Sequence, residues 1–176
     1  MERGEERNLQ KEFEEIRPAL KEKLISGGIR AAVFDLDDTI LDTSMHYGRH
    51  ILEFSEAIGS YANITPEEVN EQFMTRITAL RPELSVNPAL LDVSARNLCL
   101  TYGLDPNDAH MQEAIGELLN LYNGKGITVL PGAKETIVFF MGMPVQSILN
   151  THASEIFTDG KLRETGLDRC FPHENR

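Results

Sequence analysis

The sequence contains no tryptophan and only two cysteines, Cys99 and Cys170, among its 176 residues. Two cysteines without metal-binding or redox spacing argue against a disulfide framework. No apolar run approaches the roughly 20 residues that span a bilayer. The first residues, MERGEERNLQKEFEE, are too charged for a signal peptide. These absences predict a cytoplasmic protein without a membrane partner.

Positive charge is also scarce, because 17 lysines and arginines stand against 28 acidic residues and leave a net charge of −11. This balance argues against nucleic acid or an anionic membrane as a partner. It also disfavours long-range attraction of a phosphorylated substrate, so a phosphate pocket has to supply its positive charge locally. The length fits one domain, or one domain with an insert.

The stretch AAVFDLDDTILDTS, residues 31–44, carries the clearest chemical signal. Its apolar opening predicts a strand of a parallel sheet that is covered on both faces. Asp35 and Asp37 follow where open α/β sheets bind ligands, and their spacing puts both side chains on one side of an extended chain. Facing carboxylates need a cation or a shared proton, and oxygen ligands suit Mg²⁺. The alternative is that acids after a strand, such as Asp38, only form turns or helix caps.

FDLDDTILD resembles the first motif of the haloacid dehalogenase superfamily, a large group of aspartate-nucleophile phosphohydrolases. The resemblance implies that Asp35 is the nucleophile that accepts a phosphoryl group. It also implies that Asp37 is the acid/base, that both aspartates serve a Mg²⁺ site, and that Thr39 holds the turn and contacts the substrate. A covalent aspartyl-phosphate divides one difficult step into two easier ones.

Residues 44–125 show helical periodicity, with start signals such as the Thr-Pro-Glu-Glu run at Thr65. Four amphipathic helices with short links predict a small bundle. Its position is similar to the helical cap that many members of the superfamily place over the active site, where a lid excludes water. His46 and His50 are spaced as a metal pair, but they lack a third ligand nearby. We therefore expect them to face solvent or substrate.

A second strand is predicted over residues 145–149, after a helix over residues 132–141. A helix between two parallel strands makes a right-handed crossover, so this strand should lie beside the first. Thr151 occupies the place of the superfamily's second motif, whose hydroxyl donates to a phosphate oxygen. The residue before it is Asn150, where the superfamily usually has an apolar residue. The match to the motif can therefore be shifted by one residue, and either Asn150 or Thr151 is the expected substrate-binding residue.

The predicted fold class is α/β, with a partial Rossmann-like parallel sheet and an inserted α-helical cap. The predicted organisation is an N-terminal helix over residues 1–28, a core over residues 29–43 and 126–176, and a cap over residues 44–125.

The superfamily's third and fourth motifs, a lysine and an acidic cluster, are expected beyond Arg176. Lys161 lies too early in the chain for that lysine's role. The resemblance thus implies a Mg²⁺-dependent phosphohydrolase of a small phosphorylated metabolite, as a fragment or a form inactive as it stands. The alternative is a non-catalytic phosphate-binding or protein-interaction module. An apolar strand with an open edge also predicts self-association.

Overall fold

The structure is a computed structural model that describes residues 3–84 and 88–176, with the side chains of residues 3–10 outside the description. Residues 1–2 of the predicted N-terminal helix and residues 85–87 of the predicted cap therefore lie outside the described residues. The chain forms two compact units. One combines Met1–Thr43 with Ile127–Arg176, and the other is Ser44–Gly126.

The first unit is an α/β unit in which helices pack on a small parallel sheet. Its elements are α1 (Arg3–Ser26), β1 (Ala31–Asp35), α6 (Ala133–Met141), β2 (Gln146–Asn150) and α7 (Glu155–Thr165). The second unit contains the helices that lie between β1 and α6 in the chain. They are α2 (Thr43–Ala62, which begins in the first unit), α3 (Pro66–Leu84), α4 (Pro88–Thr101) and α5 (Ala109–Leu119). No helix in the described ranges is long and apolar enough to cross a membrane.

The two strands are adjacent and parallel, which confirms the prediction from the crossover rule. The second strand begins and ends one residue later than the predicted 145–149, and the backbone of Asn150 pairs with that of Asp35 at the last position of the register. Residues paired across a parallel ladder project to the same face of the sheet. The register therefore puts Asp35 and Asn150 on one face, at the carboxyl ends of both strands.

The prediction that β1 is buried on both faces is wrong. Burial alternates along the strand, and Val33 is 64% exposed. Phe34 points to the opposite face, where its ring packs edge-on against Phe140 from α6 and Phe171, which follows α7. Phe140 lies before β2 in the chain and Phe171 after it, and both pack on the side of the sheet that carries Phe34. The opposite side, which carries Val33, is exposed.

The helical unit has a core of its own. Phe54 from α2 and Phe73 from α3 lie with ring centroids 5.0 Å apart, and both are buried. The start of α5 is capped by Asp108, whose carboxylate accepts a hydrogen bond of 2.9 Å from the His110 backbone N–H. Such a cap satisfies one of the backbone donors that every helix start leaves unpaired.

Candidate functional site

A tight loop follows β1 and positions the predicted site residues. The Leu36 carbonyl accepts hydrogen bonds from the backbone N–H groups of Ile40 and Leu41, at 3.1 and 3.0 Å. Asp38 has a left-handed backbone with φ of 55°, a conformation that aspartate tolerates better than most residues. Leu36, Ile40 and Leu41 are almost fully buried and anchor the loop in the core of the α/β unit. The polar residues between them are therefore held around the end of the strand.

The loop is also fixed by the segment that returns from the helical insertion. The Asp42 N–H donates to the Thr128 carbonyl at 2.9 Å, and the Leu130 N–H donates to the Ile40 carbonyl at 2.8 Å. These bonds surround an antiparallel bridge between Leu41 and the returning segment. The site is thus held by backbone bonds as well as by packing.

Asp37 has two side-chain donors on one oxygen. Its Oδ1 accepts a hydrogen bond of 2.8 Å from the Thr43 hydroxyl and one of 2.5 Å from the Lys161 ammonium. The Lys161 side chain is 3% exposed, whereas that of Asp37 is 35% exposed. No role at the site was predicted for Lys161 from the sequence, and the structure places its ammonium beside Asp37.

Lys161 reaches the site because it lies on the inward face of α7. Thr158 and Leu162, which are three residues before and one after it, are also buried. From that face its long side chain extends to the loop after β1. Of these three buried positions only Leu162 is apolar, so the sequence of α7 contains no clear signal that Lys161 faces inward.

Asp35 lies at the exposed end of β1, where the Thr39 hydroxyl donates to its Oδ2 at 3.3 Å. Asn150 is its partner in the sheet register. Thr151 begins the turn after β2, where its Oγ1 accepts a hydrogen bond of 3.2 Å from the Ala153 N–H. Asn150 and Thr151 are the two predicted substrate-binding residues at this strand end. Asn150 shares a sheet face with Asp35, whereas the Thr151 hydroxyl stabilises the turn that follows β2.

The donor set fits Mg²⁺ only in combination with a phosphate. Within the described residues, no three histidine, cysteine, aspartate or glutamate side chains are placed to hold one metal ion. Mg²⁺ often takes just one or two protein carboxylates and completes its shell with phosphate oxygens and water. Asp35 offers such a carboxylate, whereas the Oδ1 atom of Asp37 already accepts from Thr43 and Lys161.

A cavity of about 580 Å³ lies beside the loop in the α/β unit. Thr39, which bonds to Asp35, lines it together with apolar side chains that include Phe34 and Val129. Lys134, near the start of α6, adds a cation to its lining. The cavity has room for a small ligand.

His46 and His50 do not face solvent, so the solvent-facing alternative of the prediction is wrong for both. They are 3% and 5% exposed. The His46 Nε2 lies 3.1 Å from the Leu121 carbonyl, and an Arg49 nitrogen lies 3.5 Å from Nδ1. Because arginine only donates, Nδ1 is the acceptor and Nε2 carries the proton. The spacing 46, 50, 54 extends the buried stripe of α2 to Phe54, so both rings turn inward.

Paired aspartates at a parallel-strand end, followed by a long helical insertion, define a class of α/β proteins with a carboxylate site beside the sheet. Neither a family model nor a curated protein matches the sequence. Solved structures do match. A haloacid dehalogenase-like family hydrolase from Xanthomonas campestris has a TM-score of 0.63 and 16% identity, over 82% of this chain and 59% of its own.

Two further structures are similar. The HAD-hydrolase YfnB from Bacillus subtilis, which was solved with bound magnesium, has a TM-score of 0.54 and 20% identity over 81% of this chain and 62% of its own. A dehalogenase solved as an intermediate complex has a TM-score of 0.50 and 18% identity over 81% and 59%. This chain has the fold of the haloacid dehalogenase-like hydrolases. It spans about three fifths of the length of these structures.

Proposed function

We propose that this chain carries the nucleophile and the acid/base of a Mg²⁺-dependent phosphohydrolase that acts on a small phosphorylated metabolite. The observation that carries the proposal is the loop after β1, which presents Asp35 at the open strand end and holds Asp37 between Thr43 and Lys161. A nucleophile needs to be accessible, and an acid/base needs a fixed orientation.

The proposed reaction has two steps. A carboxylate oxygen of Asp35 attacks phosphorus, and the bond to the leaving oxygen breaks as Asp37 gives that oxygen a proton. Asp37 then takes a proton from water, whose oxygen displaces Asp35 from phosphorus and releases inorganic phosphate. Asn150 and Thr151 are the proposed contacts to the phosphate oxygens, together with Thr39, and a bound Mg²⁺ would offset phosphate charge at Asp35.

A phosphate ester suits this site better than a halogenated acid. A departing halide needs no proton, so a dehalogenase has no use for an acid that protonates the leaving group. An alkoxide leaving group does need one, and Asp37 is held two residues from the nucleophile.

Transfer of one phosphoryl group to the protein tests the proposal more directly than turnover. The chain is incubated with acetyl phosphate and Mg²⁺, and the modified residue is located by mass spectrometry after reduction of the acyl phosphate. We expect the label on Asp35. Asp37→Asn should retain more label than the unaltered chain, because activation of water is impaired.

The matched control is Asp38→Asn, which keeps a residue that tolerates the left-handed backbone at the neighbouring position. It should label as the unaltered chain does, and Asp35→Asn should not label. Labelling that persists in Asp35→Asn contradicts the proposal. Binding of inorganic phosphate without label in any variant favours the non-catalytic module, and chloride release from a short 2-chloro acid favours a dehalogenase.

A further inference from the structure

A second cavity lies inside the helical unit and is distinct in its chemistry. Its volume is about 280 Å³, and it opens between α2 and α5. Phe54, Ala57 and Leu118 form an apolar part of its lining. The volume is just below the roughly 300–1,000 Å³ of pockets for drug-sized ligands, so only a smaller molecule fits.

The lining also contains three acidic residues. Glu53, Glu113 and Glu117 contribute three carboxylates to one cavity. Two of them have cationic neighbours: Arg49 lies 3.9 Å from Glu53, and Lys125 lies 3.6 Å from Glu117. These long contacts are at exposed side chains and are weak. Arg49 and Lys125 therefore offset the negative charge of these carboxylates only weakly. A cation inside the cavity would be attracted by the charge that remains.

His50 is a second feature of this cavity, independent of the carboxylates, that favours a bound ligand. Its side chain is 6% exposed and lines the cavity. In the described part of the chain, neither ring nitrogen has a hydrogen-bond partner, and the nearest carboxylate oxygen, on Glu53, is 4.0 Å from Nδ1. A buried imidazole without hydrogen bonds is costly, which makes a bound donor favourable.

The lining favours an organic cation over a metal ion. Among the residues that the structure describes, no three candidate ligands are placed to hold one metal. The cavity instead combines carboxylates with an apolar wall and with Tyr61 and His110, whose rings stack with centroids 5.4 Å apart. Carboxylates bind an ammonium head, and the wall covers a short carbon chain.

We propose that this cavity binds a small aliphatic ammonium ion. The ammonium group lies among the carboxylates of Glu53, Glu113 and Glu117 and donates to the unprotonated nitrogen of His50. The carbon chain lies against Phe54 and Leu118. The ligand reaches His50 by displacing the Glu53 side chain, which is 55% exposed and whose contacts with Arg49 and His50 are long, at 3.9 and 4.0 Å.

The test uses 1,4-diaminobutane as the probe and 1,4-butanediol as its uncharged counterpart, with the 176-residue chain at low salt. Titration is followed by calorimetry and by NMR signals of residues on α2 and α5. We expect a dissociation constant on the order of 1 mM for the diamine and no saturable binding of the diol. Equal binding of both probes, or no binding of the diamine, overturns the proposal.

Variants separate this cavity from general attraction to an acidic surface. Glu113→Gln should weaken binding about two- to fivefold, the effect of one partly exposed ion pair. Glu56→Gln is the matched control, because Glu56 is an exposed residue of α2 that does not line the cavity. It should leave binding unchanged. An equal effect of the two substitutions overturns the proposal.

His50→Leu tests the buried acceptor. It should weaken diamine binding at least about tenfold, as expected for a lost hydrogen bond to a charged group. The same variant should unfold at an equal or higher temperature, because leucine has no buried nitrogen that needs a partner. Unchanged binding in this variant contradicts the role of His50. Tight binding of Zn²⁺ with none of the diamine would replace the proposal with a metal site.

Discussion

At the scale of the residue, the pair formed by Asp37 and Lys161 is asymmetric. The ammonium is buried and the carboxylate is about one third exposed. A buried ammonium has lost most of its hydration, so the carboxylate beside it carries a large share of the compensation. Asp37, by contrast, keeps contact with water and with the Thr43 hydroxyl. The two partners should therefore differ in what their removal costs.

This asymmetry predicts that Asp37→Ala destabilises the α/β unit more than Lys161→Met does. The first substitution takes the carboxylate away from a buried charge, for which the cost ranges up to about 3–5 kcal/mol. The second removes that charge and fills its space, so we expect a change within about 1 kcal/mol. Urea unfolding measures both.

Arg163→Met is the control for the lysine substitution, because it removes one positive charge from an exposed position of the same helix. It should have little effect on either stability or phosphoryl transfer. Lys161→Met should instead reduce phosphoryl transfer to Asp35, because Asp37 loses its orientation. Equal destabilisation by the two partner substitutions would contradict the asymmetry that we infer from their unequal burial.

Single residues also show what the sequence could and could not predict. The position of Asp35 and Asp37 at the end of β1 was predictable, because a strand end and a two-residue spacing are local features. Lys161 was not, because its contact with Asp37 joins residues 124 positions apart and depends on how α7 packs. The solvent-facing orientation predicted for His50 was wrong, because histidine as a residue type is intermediate in burial and its position on α2 turns it inward.

At the scale of the element, β1 shows why an apolar run does not reveal how a strand is covered. Four apolar residues in sequence fit a strand buried on both faces. In the structure only alternate residues are shielded, and Val33 is exposed although it is as apolar as its neighbours. Which face is covered depends on where α6 and α7 pack, and that follows from the crossover rather than from the strand's own residues.

Substitution by alanine should have opposite effects on stability at two glycines, one just before a helix and one inside a helix. Gly132 precedes α6 with φ of +79°, and a Cβ there meets no atom within 4 Å, so only the backbone conformation opposes a side chain. Gly116 lies within α5 and is equally unobstructed. We expect Gly132→Ala to destabilise by about 1–2 kcal/mol and Gly116→Ala to stabilise by about 0.5–1 kcal/mol. Urea unfolding followed by circular dichroism measures both, and the same sign for the two would contradict the helix start at Ala133.

At the scale of the whole molecule, two features act in opposite directions on association. In the described residues the sheet consists of β1 and β2 alone, so the outer edge of each strand lacks a strand partner, and Val33 is exposed beside the edge of β1. Open edges of this kind favour pairing with another chain. A net charge of −11 opposes the approach of a second copy. Ionic strength shifts the balance, because salt screens the repulsion and leaves backbone pairing and apolar contact largely intact.

We therefore expect weak self-association that increases with salt, measured by sedimentation velocity at 20 mM and at 500 mM sodium chloride. Val33→Lys should reduce it, even though the added positive charge lowers the net repulsion between copies. Leu100→Lys is the matched control, because Leu100 is 60% exposed, close to the 64% of Val33, and lies in the helical unit. It makes the same change in charge and should leave association equal or slightly stronger. Association that falls with salt, or that both substitutions reduce equally, would show that the open side of β1 is not the contact surface.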